Sequence, residues 1–252
     1  MKAGFLTIVY LFVFIHLSYS QKTTFLKTKN GTLEINPISH GSLVLTYQNT
    51  TIYVDPYGGA KLYKGIKAPD IVLITDIHGD HLDIKTLDSI DTSNAIFIAP
   101  QAVANQISEK YKSKITVLNN GQGVHRFDIF IKALPMYNLP ENPPSPKHPK
   151  GRGNGYLLTI DAAQIYISGD TEDIPEMRTL QNIDVAFICM NLPYTMTINQ
   201  AASAVLEFQP KIVYPYHYRG KEGFSDVEAF KNLVNTQNKN IEVRLVDWYP
   251  KN

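Results

Sequence analysis

Beyond its N-terminal segment the chain opens on alternation. Leu33, Ile35 and Ile38 stand among polar neighbours. Leu43, Val44 and Leu45 follow, and Ile52 and Val54 come after the polar turn Gln48-Asn49-Thr50. A period of two about a short polar turn predicts a β-hairpin, and residues 23–58 read as β throughout. The pattern then changes. Ile71, Val72, Leu73 and Ile74 form an unbroken apolar run, which fits a strand buried on both faces. Beyond it short strands and helices alternate. Apolar spacing predicts a helix over 82–90, a strand over 95–98, a helix from Pro100 through Tyr111, and strands over 115–118 and 126–134.

Residues 139–155 break the pattern. They hold Pro140, Pro143, Pro144, Pro146 and Pro149, then Gly151, Gly153 and Gly155, and no regular element survives that density. β structure resumes at 156–160 and 164–168, so the stretch reads as an active-site loop inside one domain. Further buried strands are expected at 184–190 and 212–214, and a last one over 241–246. Thr197 caps a helix carrying Ile198, Ala201, Ala202, Val205 and Phe208 on one face. Ser225-x-x-Glu228 reads as a capping box opening a helix with Val227, Phe230, Leu233 and Val234 inside.

The apolar run 71–74 leads straight into Asp76, His78, Asp80 and His81. A strand that only needed a turn would use Gly, Asn or Pro there. Carboxylates and imidazoles together are a ligand set for zinc, manganese or iron. Asp170, in Ser-Gly-Asp, and His217, in Pro-Tyr-His, each follow a predicted strand in the same way.

The chain has 252 residues and a formal net charge of +1. Nothing in that balance points to nucleic acid or a membrane surface. Lys2, the apolar stretch 5–17 and Ser18-Tyr19-Ser20 make a secretory signal, with cleavage expected between Ser20 and Gln21. The organisation expected is therefore a signal peptide over 1–20 and a single domain over 21–252, secreted or periplasmic, with no membrane association after cleavage. The one cysteine, Cys189, lies in an apolar run and reads as a core residue, so no disulfide framework accompanies export. There is no P-loop, dinucleotide fingerprint or repeat.

Asp76-x-His78-x-Asp80-His81 resembles the His-x-His-x-Asp-His signature of the metallo-β-lactamase fold, with Asp76 in place of the first His. His148-Pro149-Lys150-Gly151, with Pro135-Met136-Tyr137-Asn138 before it, resembles the ascorbate-6-phosphate lactonase-like branch. The resemblance implies an α/β fold, the four-layered αββα metallo-β-lactamase sandwich. By position it implies that Asp80, His81 and His217 hold one metal and Asp76 and His78 another, with Asp170 bridging. It implies a hydrolase that uses a metal-bound hydroxide, oriented by Asp80, on a small ester, lactone or phosphoester. Two divalent ions are expected, zinc or else manganese or iron. The third His of the first site is missing, because Tyr137-Asn138 stands in its region. His148 is the candidate replacement, and without one only a single ion is held tightly. Asn138, Lys150 and Arg152 are further candidates for metal or substrate. With Lys147, the loop's positive charges suit an anionic small molecule. The alternative is a non-catalytic binding protein on a degenerate form of the same fold.

Overall fold

The alternating N-terminal stretch folds into four antiparallel strands, β1 (Thr24–Lys27), β2 (Thr32–Ser39), β3 (Ser42–Tyr47) and β4 (Thr50–Val54). The buried run becomes β5 (Ile71–Leu73), parallel to β4. Helix α1 (Ile84–Ser89) crosses to the parallel β6 (Ile96–Ala99), and helices α2 (Gln101–Gln106) and α3 (Glu109–Lys112) cross to β7 (Ile115–Val117). The second half repeats this plan without any sequence period. Strands β8 (Gly123–Arg126), β9 (Ile129–Met136), β10 (Gly153–Ile160) and β11 (Ala163–Ile167) run antiparallel. Helix α4 (Pro175–Arg178) precedes β12 (Val185–Cys189), and α5 (Ile198–Phe208) precedes β13 (Ile212–Tyr216). A two-stranded ribbon, β14 (Arg219–Gly220) and β15 (Gly223–Phe224), leads to α6 (Val227–Gln237) and β16 (Glu242–Val243). Strands β11, β12, β13 and β16 are parallel neighbours.

This computed structural model describes residues 23–141 and 146–249; the expected signal peptide, residues 1–20, lies outside the described residues. Among the described residues no helix is long and apolar enough to cross a membrane.

The two seven-stranded sheets face each other with helices on their outer sides, the αββα sandwich expected from the sequence. Alternation decides which core each residue joins. On β3, Leu43, Leu45 and Tyr47 enter the large core between the sheets, whereas Val44 joins Tyr53, Val72 and Phe97 beneath α1–α3. Polar contacts also tie the sheets. Tyr156 of β10 is fully buried, and its hydroxyl donates to the carbonyl of Ile74 at 2.8 Å.

Five local expectations need correction. The strand expected over 126–134 is interrupted at Phe127, whose left-handed backbone (φ 51°) turns the chain between β8 and the antiparallel β9. The helix expected over 100–111 is two short ones, broken at Ile107-Ser108, where the backbone leaves the helical region with ψ of 150° and 142°. Asp226, not Ser225, caps α6, because Ser225 Oγ donates to the Met190 carbonyl instead. β10 begins at Gly153, within the expected loop, because Gly153 pairs with Met136. The strand expected over 241–246 shortens to Glu242–Val243.

Tyr156→Phe leaves the Ile74 carbonyl without its buried donor and is expected to cost about 1–3 kcal/mol. Urea unfolding measures this. A change below about 0.5 kcal/mol, the usual scatter of surface substitutions, would show that the cross-sheet bond contributes nothing.

Candidate metal centre

The parallel strands of both sheets end on one edge, where open α/β sheets commonly carry their ligand sites. β5 delivers Asp76, His78, Asp80 and His81. β11 delivers Asp170, and β13 delivers His217. The β2–β3 turn adds His40, and β4 adds Asp55. His40, Asp55 and His217 all have left-handed backbone, with φ of 57°, 43° and 47°. Such conformations persist in non-glycine residues when the surroundings over-determine them. Gly41 is part of those surroundings. A Cβ there would stand 2.8 Å from His217 Cδ2, so only glycine lets that ring lie against the turn.

Two groups of ligand atoms result. In the first, His81 Nε2 and His217 Nε2 lie 3.2 Å apart. Asp170 reaches both, with Oδ2 3.3 Å from His81 Nε2 and Oδ1 3.3 Å from His217 Nε2. Asp80 Oδ2 is 3.5 Å from His217 Nε2. In the second group, Asp76 Oδ2 lies 2.6 Å from His78 Nδ1, and the His148 ring stands edge-on to His78 at 5.1 Å. Asp170 faces this group as well, with Oδ2 3.2 Å from His148 Nε2. All of these side chains are buried except Asp80 and His78, which are partly exposed.

The groups behind the ligands fix their orientation. Asp55 accepts from Thr75 N at 2.7 Å and from Thr75 Oγ1 at 2.6 Å, and its Oδ2 lies 2.8 Å from His81 Nδ1. With the Nδ1 proton held there, neutral His81 directs the lone pair of Nε2 at His217. Burial opposes charge on His81, but the carboxylates of Asp170 and Asp55 outweigh it and raise its pKa well above the usual imidazole value. Burial likewise opposes ionisation of Asp170, yet the neighbouring His217 and His81 hold its carboxyl well below the ordinary range. His40 behaves differently. Burial lowers its pKa to about 4 despite the hydrogen bond to Asp80, so it is neutral at neutral pH. Its two contacts then assign the tautomer. Nε2–H donates to Asp80 Oδ2 at 3.1 Å, and Nδ1 accepts from Tyr249 Oη at 2.7 Å.

The donor set suits divalent cations. Asp170 Oδ1, His148 Nδ1 and Nε2, and His217 Nδ1 are buried without a hydrogen-bond partner. Buried polar atoms are rarely left so. Asp170 Oδ1 lies beside His217 Nε2 and His148 Nε2 lies beside Asp170 Oδ2, so a cation there would satisfy them together, and imidazole with carboxylate is an appropriate ligand set. A cavity of about 220 Å³ opens on the centre, lined by His78, Asp80, Lys147, Asp170, Asn191 and Tyr194.

The structure thus brings together Asp76, His78, Asp80, His81, Asp170, His217 and His148. The other expected site residues take different positions. Asn138 holds the His148 backbone from both sides: its Oδ1 accepts from His148 N at 2.7 Å, and its own N donates to the His148 carbonyl at 2.9 Å. Lys150 turns away to Glu141 and Glu176, at 3.2 and 3.1 Å, and lies over the Tyr137 ring. Arg152 grips Asp76. Tyr249, Asn191 and Tyr194 at the centre were not singled out by sequence, since each sits in a segment with no ligand motif. Cys189 is buried in β12, as expected of a core residue.

Comparison with known proteins gives the same picture. Residues 34–217 match the profile of a family described as a beta-lactamase superfamily domain. The chain is 33% identical over 194 residues to the UPF0173 metal-dependent hydrolase PH1671 of Pyrococcus horikoshii, covering 73% of this chain and 84% of that one. A UPF0173 metal-dependent hydrolase of Lysinibacillus sphaericus is 30% identical over 222 residues, 84% of this chain and 96% of that one. A crystal structure from Parabacteroides distasonis, named for metal-dependent hydrolysis, is similar with a TM-score of 0.77 at 40% identity, over 89% of this chain and 98% of that one. Igni18, a metallo hydrolase of Ignicoccus hospitalis, shares the fold with a TM-score of 0.71 at 22% identity, over 84% of this chain and 94% of that one.

Two measurements follow from this geometry. A divalent ion must displace the proton that the raised pKa of His81 retains. Its affinity should therefore fall about tenfold for each unit of pH below that pKa. Zinc titrations from about pH 6 to about 8.5, across the usual imidazole range, check this, and a flat profile would contradict it. Asp55→Asn removes the charge that orients His81 and should weaken binding about 10–100-fold. Unchanged affinity would mean that His81 needs no partner.

Proposed function

This chain belongs to the β-lactamase superfamily and, within it, to the UPF0173 metal-dependent hydrolases, and we propose that it cleaves a compact ester, lactone or phosphoester at the centre described above. The observation that carries this reading is the convergence of His81 Nε2 and His217 Nε2, 3.2 Å apart, on the Asp170 carboxylate, which lines the cavity and keeps Oδ1 buried without a hydrogen-bond partner. Asp80, His81, Asp170 and His217 would hold one divalent ion, zinc or else manganese or iron. Asp76, His78 and His148 form a second half-site, with Asp170 between the two. Ions bound there supply an acidified water as nucleophile and polarise the carbonyl or phosphoryl oxygen of the substrate.

The chain's own groups do the rest. His40 engages Asp80 Oδ2, so Asp80 Oδ1 is left to orient the attacking water. The cavity is smaller than the roughly 300–1,000 Å³ of drug-sized ligand sites, so only a compact group enters it. Lys147 supports a substrate carrying negative charge. It lines the cavity beside Tyr194, whereas the carboxylates near Lys150 and Arg152 already occupy those two cations. The likeness of the His148–Gly151 segment to ascorbate-6-phosphate lactonase-like hydrolases makes a phosphorylated lactone the first compound to assay. The hydrophobic segment ahead of Ser20 supports export, with the mature chain beginning at Gln21.

Elemental analysis of wild type and Asp170→Ala, with hydrolysis assayed on lactones, carboxylic esters and phosphoesters, tests the reading. Wild type should hold metal, and a chelator should abolish turnover. Asp170→Ala should lose metal, with turnover down at least ~100-fold, since even outer-shell losses cost about 10–100-fold. No metal after reconstitution with zinc, manganese and iron would overturn the proposal.

A further inference from the structure

The two half-sites differ in charge. Asp80 and Asp170 bring two carboxylates to His81 and His217, with no basic side chain in ion-pair contact with either carboxylate other than histidine among the described residues. Among the described residues Asp76 is the one carboxylate grouped with His78 and His148, and it already has a cation. Arg152 Nε donates to Asp76 Oδ1 at 3.1 Å, and Arg152 Nη2 donates to Oδ2 at 2.9 Å. His78 Nδ1 stands 2.6 Å from the same Oδ2. Both oxygens of Asp76 are therefore engaged, while Asp170 Oδ1 has no hydrogen-bond partner.

The backbone is shaped for this grip. Gly153, next to Arg152, lies against the end of β5. A Cβ there would come 3.0 Å from the Thr75 carbonyl, 3.3 Å from Asp76 Oδ1 and 2.2 Å from Met136 Cε. Glycine lets the start of β10 close on Asp76 and so lays the guanidinium across its carboxylate. Asp76 is fully buried, whereas the Arg152 side chain keeps 20% of its surface exposed and has a way out to solvent.

We propose that Arg152 is the resident cation of the Asp76 half-site, so that one divalent ion binds tightly among Asp80, His81, Asp170 and His217, and a second enters only by displacing the guanidinium from Asp76. This rests on the metal-centre reading above. A neutral pair offers a divalent ion little net attraction, and bidentate charge-assisted hydrogen bonds must be broken to expose the ligand oxygens. The substitution of Asp for the usual first His and the presence of Arg152 are then one feature. The guanidinium supplies a fixed positive charge where a second ion would otherwise stand.

The test is zinc binding by the full-length, metal-free protein, followed by calorimetry and by elemental analysis after dialysis, with manganese as a parallel probe. Wild type should take up one tight equivalent, with a second only in large excess. Arg152→Gln should bind the second equivalent ~10–100-fold more tightly, the scale of a lost charge-assisted pair. Two equivalents of similar affinity in wild type would overturn the proposal without any variant. One tight equivalent in both proteins, with the second no tighter in a folded Arg152→Gln, would also overturn it and leave the hydrolase reading standing. No zinc or manganese in either protein would overturn both. Should Arg152→Gln fail to fold, Asp76→His paired with Arg152→Gln removes the buried charge as well as its partner. A second equivalent as weak as in wild type in that double variant would count against the proposal.

Discussion

The centre depends on carboxylates buried where water cannot solvate them. Asp55, Asp76 and Asp170 are almost wholly enclosed, and Asp80 is two-thirds so. An unpaired buried charge is too costly to leave in place, so each must be compensated. Asp55 is answered by Thr75 and His81, and Asp76 by Arg152 and His78. Asp170 and Asp80 are answered by imidazoles alone. That inequality organises the site. It fixes the proton on His81 toward Asp55, turns the remaining lone pairs inward and leaves a cluster whose full compensation calls for a cation.

The fold produces this crowding through symmetry of plan. Each half of the chain runs antiparallel strands into parallel ones, and the parallel ends of both sheets open on the same edge. Residues that close such strands meet across the sandwich whatever their separation in sequence. The strained turns are local consequences. His40, Asp55 and His217 accept left-handed backbone because each is held by hydrogen bonds or ring packing to another member of the centre. His217 N also donates to the His40 carbonyl, which stitches the last ligand of the second half to the first turn of the first half.

Much of this was legible in the sequence, for identifiable reasons. The alternation of 33–54 and the apolar run 71–74 follow from burial on one face or two, so they can be read without knowing the partners. The ligands after β5, β11 and β13 stood out because polar, metal-binding residues replaced ordinary turn residues at strand ends. What could not be read was pairing. Lys150 and Arg152 are equally basic and two residues apart, yet one meets Glu141 and Glu176 and the other meets Asp76. His148 was legible as a candidate ligand, but the Asn138 contacts that pin its backbone were not. The Ser225-x-x-Glu228 box failed because Met190, from the neighbouring strand end, takes the serine hydroxyl and leaves the cap to Asp226. In each case a partner remote in sequence decided between local alternatives.

The same reasoning separates the roles of the loop's cations. A guanidinium can satisfy both oxygens of one carboxylate in a single plane, which an ammonium cannot. Arg152 is therefore suited to neutralise Asp76 in place, and it is withdrawn from the substrate by doing so. Lys147 sits at the cavity with a flexible stem and an aromatic neighbour, and it keeps its charge available to whatever enters. Lys150, bound to two glutamates and laid over Tyr137, braces the loop that carries both of the others. The three cations of one basic segment thus take different places, and the difference lies in which acids the fold has set within reach.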